Sequence, residues 1–457
     1  MTCCLLHNLF ENYERTFWIA TLKKTCQTRP LPCPSHEDIT KYDTQAVLNL
    51  ARHFNRLNYN WKQERPQVVG RVRTLTVDKN LDSIAQIAGT PYVITHSILK
   101  CRLSVSSMEN GKRLCSIDAD RRVSDLSTGW PEHGKFTIAL LTHFEFFLED
   151  GLFIRVLTVD YSGPKVTMNI TFETKLESSD TRHYQAVFLN ADVVGVLYLI
   201  DDDDYQLRFH VLAFNRKTGQ STDIRVSIGP YDPFTFSWSG HHIGTSFWND
   251  NLYILYEYNR SPYHSWIPKD MLPYSENTDL PSQVTYNAKP FCREEEQGRL
   301  YYLNEGILTT KADFGIIAST VYTFEQEHKK PVVGINFWVV DADSLAEAEK
   351  SGTLPIPNLY PPVTIPGTIR TKNPSTWCLY QTTNSGLYFV VALEDWERKP
   401  KIAVVHFQLP DHRFTVHEIE APPYVKAHQV SGFFIDERLG TIALYISKGR
   451  MFVMNYA

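Results

Sequence analysis

The chain has 457 residues, of which 43% are hydrophobic and 13% aromatic, and its formal net charge is −5. This length exceeds one ordinary compact domain, and the apolar content is sufficient for a large core. The aromatic content favours β structure, because flat side chains pack well on pleated surfaces. The net negative charge argues against a general nucleic-acid binder, which needs a basic face to replace the counterions on phosphates.

The cysteine pattern and the apolar runs limit the function further. No Cys-x-x-Cys pair and no histidine pair at zinc-finger spacing occur, so the sequence predicts free thiols in a reducing compartment, with no cofactor and no metal. Leu5 and Leu6 are followed at once by polar residues, which differs from a secretion signal. The longest apolar run, Val193 to Ile200, predicts a buried strand because a membrane span needs about 20 residues. We expect a cytoplasmic or nuclear protein without a membrane partner.

The N-terminal residues predict two helices separated by a break. Residues 1–27 carry apolar residues mostly at spacings of three to five, which is helical spacing. Prolines at 30, 32 and 34 end this helix, because proline lacks a donor and clashes inside a helical turn. A second helix is predicted from Asp43 to Tyr59, with one apolar stripe. This stripe comprises Val47, Leu50, Ala51, Phe54 and Leu57.

From Val68 onward the apolar period changes to two, which is typical of half-buried strands. Strand-like runs then alternate with short turns rich in Asp, Asn and Gly, residues that tolerate the positive φ angles of tight hairpins. Three such turns contain Asp150, Asp202 and Asp250, about 50 residues apart and near the period of a four-stranded propeller blade. Later candidates are Glu325–Glu327, Glu394–Trp396 and Asp436–Arg438.

We therefore predict a mainly β chain, a six- to seven-bladed β-propeller with a short α-helical N-terminal segment. Residues 1–65 form the helical segment and residues 66–457 the propeller, with long loops on a propeller face at 261–290 and 354–374. Trp61 is expected to pack the second helix against the first blade. The sequence has no Trp-Asp dipeptide and so differs from a typical WD-repeat protein. A sandwich or barrel repeated twice is the structural alternative, but recurring hairpins over nearly 400 residues fit radial repetition better.

Three short motifs of the N-terminal region suggest a family. They are Tyr-Glu-Arg-Thr-Phe-Trp at 13–18, Arg-Pro-Leu-Pro-Cys-Pro at 29–34 and Asn-Tyr-Asn-Trp at 58–61. Their order, followed by β-type sequence, resembles fungal F-box proteins with a C-terminal β-propeller. The resemblance covers residues 1–65 in motifs and the remainder in architecture. A complete F-box opens on a Leu-Pro pair and a first helix, which the segment from Met1 to Leu6 lacks. We expect an incomplete adaptor-binding surface or a gene start that lies further upstream.

The resemblance implies a function in the ubiquitin conjugation pathway. The chain would be the substrate-recognition subunit of a cullin ubiquitin ligase, in which F-box helices bind a Skp-type adaptor and the propeller binds an unknown protein substrate. Phe17 and Trp18 match the end of the F-box motif and are the adaptor-binding residues that the resemblance implies. Such a receptor performs no covalent chemistry, so the chain is not expected to be an enzyme. The alternatives are an interaction scaffold without a ligase link and a propeller enzyme that acts on glycans.

The sequence offers few candidates for chemistry. Asp201–Asp204 has the carboxylates that hard cations prefer, but it lacks the ligand spacing of an EF-hand and is interpreted as a solvated hairpin turn. His241 and His242 are adjacent, so on a strand they point to opposite faces and do not share an ion. Asp118 and Asp160 lie near predicted strand ends, but their spacing does not force them into one glycan site.

An aromatic-rich stretch supplies the candidate partner-binding residues. Tyr263, His264, Trp266 and Tyr274 lie beside prolines and outside the alternating pattern of the preceding strands. Exposed aromatic residues in loops are favoured anchors for protein partners. The other interpretation is that these side chains fold back and cap a blade, and the sequence leaves both open.

Overall fold

The strands form seven consecutive β-sheets in the part of the chain that the computed structural model describes. That part comprises residues 2–25, 31–34, 37–79, 81–119, 122–129, 131–143, 151–177, 181–201, 207–228, 243–258, 261–277, 279–288, 291–292, 300–311, 315–325, 331–353, 355, 358–359, 363–364, 378–383, 387–393, 401–408, 413–426 and 429–457. The helices are α1 (Thr2–Thr25), α2 (Thr44–Trp61) and α3 (Ala342–Ser351).

Each sheet is named as a blade, numbered along the chain. The first strand, β1 (Arg73–Thr76), belongs to blade 7. Blade 1 contains β2 (Leu81–Gln86), β3 (Tyr92–Ser97), β4 (Arg102–Ser107) and β5 (Arg113–Asp118). Blade 2 contains β6 (Arg122–Thr128), β7 (Lys135–His143), β8 (Leu152–Asp160) and β9 (Thr167–Lys175). Blade 3 contains β10 (Arg182–Leu189), β11 (Val193–Asp201), β12 (Leu207–Asn215) and β13 (Ser221–Ile228).

The remaining blades follow the same antiparallel order. Blade 4 contains β14 (Ile243–Trp248), β15 (Asn251–Tyr258), β16 (Ser261–Ile267) and β18 (Phe291–Cys292), and β17 (Gln283–Ala288) between them joins blade 3. Blade 5 contains β19 (Leu300–Lys311), β20 (Gly315–Glu325), β21 (Pro331–Asp341), β22 (Asn358–Leu359) and β23 (Val363–Thr364). Blade 6 contains β24 (Cys378–Thr382), β25 (Tyr388–Leu393), β26 (Lys401–Gln408) and β27 (Arg413–Ile419). Blade 7 contains β28 (Val430–Asp436), β29 (Thr441–Ile446) and β30 (Arg450–Asn455).

Contacts between neighbouring blades arrange these sheets in a ring. The first strands of blades 2, 3, 4 and 5 contact one another in turn, and the first strand of blade 7 contacts those of blades 6 and 1. Blades 1 and 2 share one hydrophobic core that includes Ile94 and Phe136. Phe337 of blade 5 stacks on Phe414 of blade 6 with ring centroids 3.9 Å apart. The chain therefore folds as a β-propeller with seven blades among the described residues, at the upper end of the predicted blade count.

Strand β1 closes the ring, because it pairs with β30 at the other end of the chain. The pairing is antiparallel, with Arg73 opposite Val453 and Thr76 opposite Arg450. Blade 7 thus consists of three strands from the C-terminal region and one from the N-terminal region. The alternating pattern begins at Val68, but the first strand, β1, begins only at Arg73.

Helix α2 forms where the sequence predicts it and contributes side chains to two hydrophobic cores. Asp43 caps its first turn by accepting a hydrogen bond from the backbone N–H of Ala46 at 2.7 Å. The early stripe residues Val47, Ala51 and Phe54 pack on α1, whereas Leu57 and Trp61 belong to a core shared with blades 5, 6 and 7. Gly440, between β28 and β29, has φ +64°, and a Cβ there would lie 2.2 Å from the Leu57 side chain. Glycine is therefore required where the turn meets the helix.

Trp61 docks the end of α2 between blades 6 and 7. Its ring meets Tyr388 of blade 6 edge-on at 4.6 Å between centroids and lies 6.4 Å from Tyr456, which follows β30. The side chain of Asn60 donates to the backbone carbonyl of Tyr456 at 2.8 Å. We expected Trp61 to pack on the first blade, but the contact lies at the seam where β1 and the C-terminal strands meet, because β1 itself is part of blade 7.

The predicted turns lie between paired strands, but they do not all join the same two strands of a blade. Asn249 and Asp250 make a tight turn with φ angles of 44° and 67°, as their residue types predict. This turn and the one after Asp436 join the first and second strands of their blades. The hairpins near Asp150, Asp202, Glu325 and Glu394 join second and third strands, although residues 144–150, 202–206, 326–330 and 394–400 lie outside the described residues. Successive turns of an antiparallel sheet lie at opposite ends of the sheet. The spacing of about 50 residues was therefore measured between turns of two kinds, which lie at opposite ends of their blades.

The two predicted loop insertions contain regular structure. The first begins with β16 of blade 4 and continues to β17, which pairs in parallel with β13 of blade 3. The second contributes the short strands β22 and β23 to β21, and residues 365–377 lie outside the described part. Helix α3 was not predicted, although Asp341 caps its start and Gly352 ends it in the left-handed region. Within the described ranges, no helix has the length and apolar character needed to cross a bilayer.

Replacing Trp61 with alanine should destabilise the fold, because this side chain is only 3% exposed within the large core. We expect the Trp61→Ala variant to lose about 3–5 kcal/mol of unfolding free energy, measured by urea titration with circular dichroism. The matched control is Tyr59→Ala on the same helix, where the ring is 74% exposed and the change should stay within about 0.5 kcal/mol. Equal losses in both variants would contradict the docking of α2 through Trp61.

Candidate functional site

Helix α1 has one face packed inward and one face left open. Leu22 is buried in a small core with Val47 and Phe54 of α2, and Trp18 packs partly buried against it. Tyr13 and Phe17 lie one turn apart on the other side and are 61% and 54% exposed. The exposed pair Tyr13 and Phe17 is called the aromatic face of α1 below.

The two residues that the resemblance assigns to the adaptor have different surroundings. The rings of Phe17 and Trp18 meet edge-on with their centroids 5.2 Å apart, but the two side chains differ in exposure. Phe17 is open to a partner, whereas Trp18 packs within the protein. Of this pair only Phe17 is exposed, and its neighbour Tyr13 is an exposed ring to which the resemblance assigned no role.

Hydrogen bonds fix the direction of α1 relative to α2. The guanidinium of Arg15 donates through Nε to the carbonyl of Tyr42 at 3.0 Å and through Nη2 to that of Thr40 at 2.5 Å. Both carbonyls lie just before α2, so α1 is held at the start of the second helix. Helices α1 and α2 with residues 31–34 between them form one unit, called the helical module.

The helical module is attached to the propeller a second time at Cys33. Its carbonyl accepts a hydrogen bond from Nη1 of Arg438 at 2.8 Å, and a Cβ on Gly89 would lie 2.5 Å from the same carbonyl. Gly89 has φ +76°, so only glycine combines this conformation with the close approach. Residues 31–34 therefore rest where the hairpins of blades 7 and 1 meet.

A buried carboxylate organises this junction. Asp436 accepts hydrogen bonds from the side chain of Gln86 at 2.8 Å and from the backbone N–H of Gly89 at 2.9 Å, both in blade 1. It also accepts from the N–H groups of Arg438 and Leu439 in its own turn. Burial raises the pKa of Asp436 to about 6, although the backbone N–H donors of Leu439, Gly89 and Arg438 oppose the shift. One side chain thus joins blades 7 and 1 beneath the helical module.

The expected exposed anchors near residue 264 lie inside the propeller. His264 and Trp266 are buried on β16, and Trp266 shares a core with Leu345 of α3. Tyr274 is buried between blades 3 and 4, where its hydroxyl donates to the carbonyl of Asp250 at 2.9 Å. The prediction that these three side chains are exposed anchors is therefore wrong. The other interpretation, a side chain that folds back and caps a blade, fits Tyr274. Tyr263 lies on β16 opposite Tyr256, but its side chain is outside the described part.

Burial strongly changes the pKa of His264. The hydroxyl of Tyr253 and Nδ1 of His264 are hydrogen-bonded, and Trp338 of blade 5 lies edge-on to the imidazole at 6.0 Å. Burial lowers the pKa of His264 to about 3, because the charged imidazolium is unfavourable in this apolar environment. The residue is therefore a neutral structural histidine between blades 4 and 5.

The acidic and histidine candidates give no metal site where the structure describes them. Asp201 ends β11, while Asp202, Asp203, Asp204, His241 and His242 lie outside the described residues. Asp118 pairs with Arg102 at 2.8 Å, and Asp160 accepts from Ser162. Over the described ranges, no group of three His, Cys, Asp or Glu side chains is arranged to hold a metal ion.

A cavity that the sequence did not indicate lies between blades 2, 3 and 4. Its volume is about 540 Å³, within the range of ligand sites. The described residues around it include seven hydroxyl side chains: Ser127, Thr128, Thr137, Thr158, Thr171, Thr245 and Ser246. The other polar residues are Glu132, His133, Lys135, Asn190 and Arg216, and Phe188 and Phe247 are the aromatic ones. This cavity is called the inter-blade cleft.

Comparisons with known proteins bear on the fold. No family model matches the sequence, and no curated protein is significantly similar to it, so neither an F-box nor a fungal origin has support there. Similar solved structures include the WD40 domain of SCAP from fission yeast, with 8% identity, TM-score 0.34, and 80% of this chain and 82% of that chain covered. The Cps50 (Swd1) β-propeller domain of Myceliophteria thermophila has 8% identity, TM-score 0.44 and coverages of 84% and 99%. Drosophila semaphorin 2a has 9% identity, TM-score 0.47 and coverages of 86% and 76%.

These likenesses carry no argument about function, because every TM-score is below 0.5. The strand order and blade contacts described above establish the β-propeller. Its fold is consistent with a protein-interaction role.

The burial of His264 predicts a pH dependence of stability. The folded state keeps this imidazole neutral down to pH about 3, whereas the unfolded chain takes up a proton below its ordinary pKa of 6.5. Stability should therefore fall as the pH drops below 6.5, by up to about 1.4 kcal/mol per pH unit from this group. A His264→Asn variant should lack this contribution to the loss of stability when urea titrations at pH 7 and pH 4.5 are compared. Parallel pH profiles for the two proteins would contradict the assignment.

Proposed function

We propose that the chain is the substrate-recognition subunit of a cullin ubiquitin ligase, in which the helical module binds a Skp-type adaptor and the propeller binds the protein substrate. The observation that carries this proposal is the aromatic face of α1. Tyr13 and Phe17 remain open although the opposite face of the same helix is packed. In this role the chain itself performs no covalent chemistry.

The exposure of these two rings supports an interface with another protein. Large aromatic side chains at a surface are frequent anchors of protein interfaces, since each loses much apolar area to the partner at a small entropy cost. The aromatic face takes no part in the small core of the helical module, which is formed by Leu22, Val47 and Phe54 with their neighbours. Its two rings can therefore contact a partner without disturbing the core.

The attachment of the helical module to the propeller also supports a receptor. A ligase receptor has to hold its substrate in a defined position relative to the adaptor. The contacts of Arg15, Cys33 and Trp61 fix α1, residues 31–34 and α2, respectively. An adaptor on α1 would then be held in a fixed direction relative to the blades.

An interaction scaffold without a ligase link is the second candidate. The packing of Trp18 favours it, because one of the two residues that the resemblance assigns to the adaptor is engaged within the protein. In that case the aromatic face would bind a partner other than the adaptor.

Adaptor capture by α1 variants tests the proposal. The purified full-length chain is immobilised and incubated with a Skp-type adaptor. We expect Phe17→Ala to weaken capture at least tenfold while the free energy of unfolding stays within about 0.5 kcal/mol. Trp18→Ala should lower both capture and stability, because it opens the small core.

Tyr59→Ala is the matched control, since it removes an exposed ring from α2 and leaves the aromatic face intact. It should capture the adaptor like the wild type. If the wild type captures none, the ligase-receptor function is wrong and the scaffold remains. Equal capture by Phe17→Ala and the wild type would show that the aromatic face is not the contact.

A further inference from the structure

The side of α2 that faces away from its two cores is exposed and basic. Arg52, Arg56 and Tyr59 follow one another at spacings of four and three residues, so they share one side of the helix. The buried Leu57 and Trp61 lie on the other side. Both arginines are exposed, and Tyr59 is 74% exposed. The set of Arg52, Arg56 and Tyr59 is called the basic face of α2.

The positive charge of the basic face is not balanced within the part of the chain that the structure describes. Neither guanidinium forms an ion pair or a hydrogen bond there. Other exposed cations do have acidic partners, such as Lys217, which pairs with Asp192 at 2.7 Å. No Asp or Glu occurs in the sequence between Asp43 and Glu64. Like charges one turn apart destabilise a helix, so the two arginines repel each other in the free protein.

The fold holds the basic face in a fixed orientation. Asp43 caps the first turn of α2, and Leu57 and Trp61 pack in the core shared with blades 5, 6 and 7. The side chain of Asn60 also donates to the carbonyl of Tyr456. A partner would therefore meet a helix that is already ordered, and on this side only the exposed side chains would lose freedom on binding.

The residue types of the basic face suit the carboxylates of a protein partner. A guanidinium donates two parallel hydrogen bonds to a carboxylate, and arginine and tyrosine are enriched among the strongest interface contacts. A membrane is a poorer match, because the apolar stripe of α2 is buried within the protein. Duplex DNA is also a poorer match, since it requires several phosphate contacts and the chain has a net charge of −5.

We propose that the basic face of α2 binds an extended acidic segment of a partner protein, with alternate Asp or Glu carboxylates on Arg52 and Arg56 and an apolar side chain on Tyr59. Side chains four residues apart on a helix have Cβ atoms about 6 Å apart. Alternate side chains of an extended segment lie on one side at a spacing of about 6.5 Å. The two spacings match. The inference goes beyond the proposed function, because it concerns α2 and does not require the adaptor.

Two capped, fluorescein-labelled peptides of seven residues test this assignment on the full-length chain. The first has glutamate at its third and fifth positions and leucine at its seventh, and the second has glutamine in place of both glutamates. We expect the glutamate peptide to bind about tenfold tighter in fluorescence anisotropy, and added salt should reduce the difference. Arg52→Gln and Arg56→Gln should each weaken the glutamate peptide about threefold, and the double variant should bind both peptides equally. Tyr59→Ala should weaken both peptides alike.

Arg225→Gln is the matched control, since Arg225 is exposed on β13 of blade 3 and the change removes the same charge. This variant should bind both peptides like the wild type. Stability separates binding from folding, because Arg52 and Arg56 repel each other in the free protein. Arg56→Gln should therefore unfold at the same urea concentration as the wild type or a higher one. A destabilised Arg56→Gln variant with unchanged peptide affinity would mean that this arginine is structural and would overturn its role.

Three further results would overturn the proposal. Equal binding of the two peptides by the wild type, or no binding at millimolar concentration, would remove the carboxylate site. Binding to phosphatidylserine vesicles that is lost in the double variant would assign the basic face to a membrane. Adaptor capture, measured on the same preparations, should be unchanged in the double variant, and its loss would assign the basic face to the adaptor. Retained capture with no peptide binding would refute this inference and leave the proposed function standing.

Discussion

The pairing of β1 with β30 is the constraint on which the rest of the structure depends. It joins residues 73–76 to residues 450–453 and so closes the ring of blades. Because α2 ends at Trp61, only a short segment separates the helical module from this seam. Asn60 anchors that segment by hydrogen bonds to the carbonyls of Gln67 and Tyr456. Closure of the propeller therefore also fixes the position of α2, and through it the direction of α1.

This arrangement explains why an exposed helix face can be functional in a chain whose bulk is β structure. The packed side of α1 holds the helix in place. The hydrogen bond from Arg438 to the Cys33 carbonyl ties residues 31–34 to blade 7, which Asp436 joins to blade 1. The aromatic face is then presented in one direction. The basic face lies on α2, so the two candidate surfaces of the helical module belong to different helices and can be changed independently.

Local patterns predicted the elements, and long-range packing decided the candidate sites. The stripe of α2 and its cap Asp43 act within a few residues, and the apolar run at Val193 indicated the buried strand β11. His264 and Trp266 lie beside prolines, which suggested a loop, but their burial depends on Tyr253 and on blade 5. The lining of the cleft extends from residue 127 to residue 247, so no local motif could have revealed it.

The docked position of the helical module is the central claim, and amide hydrogen exchange of the full-length chain tests it most directly. The account predicts that the amides of the last turns of α2 exchange as slowly as those of β30, because Leu57 and Trp61 share a core with blade 7 and lose it only when the ring opens. Fast exchange throughout α2 beside a protected β30 would contradict the account, since the helical module would then be tethered to the propeller without being packed on it.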